Sequence, residues 1–163
     1  MPLTPVLASL ASQFARVRAG LAVGFDDERS VAALKGHRGG VWMSVPEAGE
    51  LPFEDRQFEV VVMDGRVVTR ENVREAHRVL RPDGCLFFTV SERTGKQDGF
   101  TPPEIYKIVR EGFDIVELRR PKWWMFGRLG HSITVCARKK AWREHKSFIR
   151  EGSLPFTPFR SRS

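Results

Sequence analysis

Two rhythms alternate along the chain: apolar residues every three or four positions, and short runs that are almost wholly apolar. The first marks helices with one buried stripe, the second strands covered on both faces. Val6, Leu7, Leu10 and Phe14 follow Thr4-Pro5, which predicts a helix with Thr4 as N-cap and proline at its first position. Residues 19–25, AGLAVGF, predict a buried strand, after which Asp27 caps a helix through Leu34. Gly36-His37-Arg38-Gly39-Gly40 breaks that helix as a plain turn, and residues 41–45 form a second strand. A loop over 46–57 leads to FEVVVM, a third strand at 58–63. Thr69 caps a helix with Val73, Ala76 and Leu80 on one face, stopped by Arg81-Pro82-Asp83-Gly84. CLFFTV at 85–90 is a fourth strand. Thr101-Pro102 opens another helix with Ile105, Ile108 and Val109 inward and Gly112 as its stop. Strands at 113–118 and 132–137 follow, then a short basic helix over 139–149.

Strands that alternate with helices are joined by right-handed crossovers into a mostly parallel sheet. The fold class predicted is therefore α/β, a three-layer sandwich. The last two strands have no helix between them and form an antiparallel C-terminal hairpin at the sheet edge. One domain covers 1–138, and 139–163 form a basic C-terminal extension. A chain of 163 residues buries a core without disulfides or a structural metal. No stretch reaches the ~20 apolar residues that span a bilayer, and no secretory signal opens the chain, so a cytoplasmic protein without a membrane partner is expected. Cys85 and Cys136 lie far apart in apolar runs and read as buried reduced thiols rather than metal ligands. His37, His77, His131 and His145 share no ligand spacing and read as surface or packing residues.

Charge divides the chain. Residues 1–118 hold 15 basic and 18 acidic side chains, a net of −3, while residues 119–163 hold 12 basic and 2 acidic, a net of +10. A basic end binds polyanions by counterion release, or simply solubilises. Trp142, Phe148, Phe156 and Phe159 lie within the basic stretch, and such rings either pack on the body or meet a partner. RNA or a ribonucleoprotein is the polyanionic partner this suggests. Trp123, Trp124, Met125 and Phe126 form the most apolar loop, read as core packing or a substrate-facing lid.

Leu51-Pro52-Phe53-Glu54-Asp55-Arg56-Gln57-Phe58-Glu59-Val60-Val61, followed by Arg78-Val79-Leu80-Arg81-Pro82-Asp83-Gly84-Cys85-Leu86, resembles the class I S-adenosylmethionine-dependent methyltransferases of the type 11-like subgroup, whose sequences read LPF-D-SFD-VV and then RVL-PGG-L. The resemblance covers roughly residues 3–138. It implies a Rossmann-like methyltransferase sheet, S-adenosylmethionine as cofactor, transfer of a methyl group to an acceptor the sequence does not identify, and a ligand site at the C-terminal ends of the strands. It further implies Asp26 as ribose ligand with Asp27 beside it, Glu47-Ala48 in the place of an Asp-Ala pair that contacts adenine, and Asp64 lining the cleft. Each has a plainer reading: Asp26 or Asp27 as helix cap, Glu47 as a solvated loop acid, Asp64 as a turn residue. No catalytic residue is named, because alignment of an already activated methyl group can suffice.

The family's first strand ends in an acid and a glycine-rich turn, D-x-G-x-G, and lies in the middle of the sheet. Nothing before Thr4 supplies it. The expectation is a chain truncated just before Thr4, its motif encoded upstream, with a first strand missing between those at 19–25 and 58–63, a gap about 5 Å wider than an ordinary strand pair. Such a gap must close, or be filled by a partner or a second copy, as in a homo-oligomer. A non-enzymatic module of the same fold, acting on RNA or a protein through the basic aromatic extension, is the alternative.

Overall fold

The computed structural model describes residues 3–36, 40–120 and 131–140. Along them run α1 (Thr4–Gln13), β1 (Ala19–Val23), α2 (Glu28–Lys35), β2 (Val41–Val45), β3 (Phe58–Met63), a 3-10 turn (Gly65–Val67), α3 (Arg70–Val79), β4 (Leu80–Ser91), α4 (Pro102–Val109), β5 (Phe113–Arg119) and β6 (Ser132–Lys139). The six strands form one sheet in the order β2-β1-β3-β4-β6-β5. β2, β1, β3 and β4 are parallel; β6 runs antiparallel to both β4 and β5. This is the mostly parallel sheet with a C-terminal hairpin that the pattern predicts.

Alternation within the apolar runs explains the three layers. Val60 and Val62 of β3 face the side covered by α1 and α2, meeting Val6, Leu10 and Leu34. Val61 and Met63 face the side of α3 and α4, with Val73, Ala76, Ile105 and Val109. Both faces of β3 are therefore covered, and each fully buried Val or Leu contributes roughly 1.5–3 kcal/mol. Cys85 and Cys136 are buried, unbridged thiols within the first of these layers.

Three helix starts behave as their sequences predict. Asp27, Thr69 and Thr101 each accept a backbone N–H in the first turn, and Thr101 with Glu104 completes a capping box. α1 departs from expectation: its N-cap is Leu3, which makes no side-chain cap. Leu3 is buried in the α1–α2 layer, so packing draws the helix start back one residue and leaves Thr4 exposed. β4 begins at Leu80 rather than at Cys85. Between them the ladder slips: Phe58 pairs with Leu80, and then Val60 with Cys85. Arg81-Pro82-Asp83-Gly84 bulges out of the ladder, with Asp83 at φ +63°. Lys139 ends β6 and does not open a helix. The rest of the expected basic helix, the Trp123–Trp124 loop and His37 lie outside the described residues.

Of the alternatives for the gap, closing within the chain is the one observed. Gly20 to Val23 of β1 pair directly with Val60 to Met63 of β3. β1 therefore occupies the central place, with β2 on its other side, that the resemblance gives to the family's first strand. Gly20 makes this half of the sheet compact: a Cβ there would lie 2.5 Å from the Trp42 indole, which covers it from β2.

The two stretches that carry the resemblance are locked to one another. Arg78 of α3 donates from Nη1 to Phe53 O and from Nη2 to Leu51 O, at 2.8 and 3.0 Å. It also pairs with Glu75 and Asp55, and Glu75 in turn accepts the Leu51 N–H. Phe53 then stacks edge-on against Phe58 with centroids 5.0 Å apart. The LPF loop is thus fastened to α3 by one guanidinium and sealed against the sheet by one ring.

Candidate functional site

Parallel strands end together, and their ends make a rim. Here the rim is level: Gly24 N–H donates to Val45 O at 2.8 Å, and Asp64 N–H donates to Val23 O at 2.9 Å. The chain leaves three neighbouring strands at this line and places acids just beyond it. Asp26 stands three residues past Val23, Glu47 two past Val45, and Asp64 directly after Met63. Asp26, Asp27 and Glu47 are exposed; Ala48 is half-buried and packs on the core. The Asp64 side chain is buried, at 3% exposure.

Asp27 is committed locally. Its carboxylate accepts the Ser30 N–H at 2.7 Å, and hydrogen bonding from the Ser30 side chain, then from this N–H, holds its carboxyl below the ordinary range. Asp26 and Asp64 are joined by Arg66. Arg66 Nε donates to Asp64 Oδ1 at 3.1 Å, and its Nη2 donates to Asp64 Oδ2 and Asp26 Oδ1, each at 3.2 Å. The same Nη2 lies 3.4 Å from Gly24 O, so the guanidinium crosses the end of β1. Its hydrogen bond holds the Asp26 carboxyl low, and the two carboxylates push the Arg66 guanidinium up, Asp64 first. Asp26 and Arg66 are therefore ionised at neutral pH. Asp64 also accepts the Arg66 backbone N–H and so caps the 3-10 turn, which is the turn role expected of it. Sequence carried only a faint signal for Arg66, an arginine two positions after a strand-ending acid.

A hollow of about 290 Å3 lies beside this rim, lined by Asp26, Asp27, Glu28, Val31, Ala32, Lys35 and Ser44. Glu47 and Asp64 are not among its lining residues. A larger hollow of about 730 Å3, lined by Gln13, Phe14, Ala15, Arg16, Arg18 and Glu59, opens at the other end of the strands. Among the described residues, no group of three or more His, Cys, Asp or Glu is placed to hold a metal. No helix of the described residues is long and apolar enough to cross a membrane.

No D-x-G-x-G stretch occurs in the sequence, and β1 leads instead into Val23-Gly24-Phe25-Asp26. One glycine remains, Gly24, at φ +82°. The space above it is used by the chain itself: a Cβ on Gly24 would lie 2.6 Å from Val67. The carboxylate beyond the strand next to the central one is Glu47.

No sequence profile of a known family matches the chain, and no curated protein matches it. Solved structures do. The 1,6-didemethyltoxoflavin-N1-methyltransferase of Burkholderia thailandensis, determined with its substrate and S-adenosylhomocysteine, superimposes with a TM-score of 0.65 at 20% identity, over 85% of this chain and 78% of that one. A SAM-dependent methyltransferase of Aquifex aeolicus gives 0.65 at 14% identity, over 86% and 94%. The 4+2 cyclase SpnF gives 0.56 at 18% identity, over 84% and 79%. The chain has the class I S-adenosylmethionine-dependent methyltransferase fold. Methyltransferases and a cyclase share it, so the reaction must be argued from the rim.

The donor set on the rim fits S-adenosylmethionine. Its ribose hydroxyls, adenine amino group, ammonium and sulfonium all favour acceptors or negative charge, which the exposed Asp26 and Glu47 offer, while the buried Asp64 is already held by Arg66. Its carboxylate favours a donor, which Arg66 supplies. The glycine-rich turn is the part of the family's apparatus this rim lacks.

Proposed function

We propose that this chain binds S-adenosylmethionine at the C-terminal rim of β2, β1 and β3 and transfers its methyl group to an acceptor. One observation supports the reading: β2, β1 and β3 are neighbouring parallel strands of a methyltransferase fold, and the chain carries Glu47, Asp26 and Asp64 just beyond their C-terminal ends. When bound, the cofactor supplies a methyl group already activated on a sulfonium. The chain's work is then to bind and align, which can supply most of the rate for an in-line displacement. Glu47, beyond the strand beside the central one, takes the nucleoside. This moves the ribose role from Asp26 to Glu47, because β1 stands in the first strand's place and β2 in that of its neighbour. Asp26 faces the charged end of the ligand, Asp64 anchors Arg66 beside it, and Asp27 serves the helix.

Calorimetric titration of the full chain with S-adenosylmethionine tests this. Saturable binding that weakens about tenfold or more in Glu47→Gln is the expected result, the size of one or two lost charge-assisted bonds. No heat at millimolar ligand overturns it.

A second reading has one observation in its favour: the sequence contains no D-x-G-x-G turn. In that reading the fold is a module without cofactor, and the basic residues of 139–163 engage RNA, a ribonucleoprotein or another acidic partner. Salt-dependent retention on RNA, with no response to S-adenosylmethionine, is its signature.

A further inference from the structure

We infer that Arg66 and Asp26 form a receptor for the α-amino acid end of the cofactor, replacing the glycine-rich turn. This rests on the cofactor reading above and concerns how this rim holds the methionine part.

A glycine turn binds by leaving backbone bare. Here the backbone at the end of β1 is bare at Gly24 only, and Val67 already lies over it. What occupies the crest is a guanidinium between two carboxylates. Arg66 Nη2 is shared by Asp26 and Asp64, while the buried Asp64 fixes the Nε side. Anchored on that side, the planar fork keeps its outer edge for another acceptor. Asp26 Oδ1 is that acceptor in the structure.

The Asp26–Arg66 contact is the exchangeable one. Their side chains are 68% and 63% exposed, whereas that of Asp64 is 3% exposed. Exposed pairs are worth little and part readily. An amino acid end offers a matched exchange: its carboxylate takes the outer edge of Arg66, and its ammonium takes Asp26. Two separated charges replace each other pairwise, so neither Arg66 nor Asp26 is left without a partner. The remaining carboxylate of the cluster, Asp64, leaves the site with net negative charge, which favours a ligand carrying a sulfonium over one carrying a thioether.

The test separates the amino acid end from the nucleoside. The full chain is titrated with S-adenosylhomocysteine and with 5′-methylthioadenosine, which shares the nucleoside and thioether but lacks the amino acid. Wild type should bind S-adenosylhomocysteine at least about tenfold more tightly, the worth of a charge-assisted bond. Arg66→Gln should bind both ligands alike, with its affinity for 5′-methylthioadenosine unchanged, and Arg66→Lys should restore part of the preference. Thermal unfolding of each variant, read in parallel, confirms an intact fold. If Arg66→Gln keeps the full preference, the amino acid end is held elsewhere; the inference falls and the cofactor reading stands. If wild type binds both ligands equally, the inference falls in the same way. If wild type binds neither ligand, both fall.

Discussion

Two arginines each hold two carboxylates, and they do so to opposite ends. Arg78 is fastened to backbone: it donates to the Leu51 and Phe53 carbonyls and pairs with Glu75 and Asp55, with its side chain 31% exposed. Arg66 is fastened mainly to side chains, Asp64 and Asp26, and is 63% exposed. The first joins a loop to a helix and stops moving. The second lies over a strand end where ligands of this fold bind, and only its inner half is anchored. Equal counts of ion pairs therefore do not mean equal roles; what the guanidinium bonds besides carboxylates decides whether it is a fastener or a contact for something else.

Breaking the fastener should have the largest effect. Arg78→Ala leaves two loop carbonyls and a half-buried Glu75 without their donor, and should lower unfolding stability by about 3 kcal/mol. Urea denaturation measures it, and a loss below about 1 kcal/mol would mean that the LPF loop is held by Leu51 and Phe53 packing alone. Next comes the backbone beneath the other arginine. Gly65 lies against β4 so closely that a Cβ would meet Thr89 O at 2.0 Å. Gly65→Ala should cost about 2 kcal/mol by the same assay, through forced movement of the strand end. An unchanged urea midpoint would show the rim backbone to be as yielding as its side chains.

The same contrast explains what was legible in the sequence. Caps at Asp27, Thr69 and Thr101 were legible because a side-chain oxygen and the N–H it serves lie within three residues. Thr4 failed because the burial of Leu3, a tertiary fact, set the helix start. The motif pair around Leu51 and Arg78 was visible as words, but its physical content, one guanidinium reaching back 25 and 27 residues to two carbonyls, was not. That the gap beside β1 closes within the chain was not legible, because AGLAVGF carries no record of which strand lies next to it; pairing over forty residues decides that. Arg66 was missed for the same reason, since it meets Asp26 across 40 positions of chain. Of the rim acids, Asp27 and Asp64 went to their plainer roles as helix cap and turn residue, while Asp26 and Glu47 stay exposed beyond neighbouring strand ends.

Acid should separate the two clusters next. Arg78 holds the Glu75 carboxyl below its ordinary value of 4.5, with the Leu51 N–H adding to the effect. A carboxyl lowered by folding contributes stability that is complete above its unfolded value and is lost as pH falls through the folded one. Glu75→Gln should therefore melt below wild type at pH 7, and the difference should close as pH falls below about 4.5. A difference that persists to pH 2 would assign Glu75's role to shape rather than charge.

The smallest effect on folding should come from Arg66→Gln. Asp64 keeps the Arg66 backbone N–H at 2.8 Å, because that bond does not involve the side chain replaced. Glutamine still offers an amide donor toward the carboxylate, and Asp26 loses only a contact made in water. The urea midpoint should stay close to wild type and well above that of Arg78→Ala. A drop as large as that of Arg78→Ala would make Arg66 a second fastener, pinned to the end of β1 through Gly24 O, and a guanidinium so pinned could not turn its outer edge to a ligand.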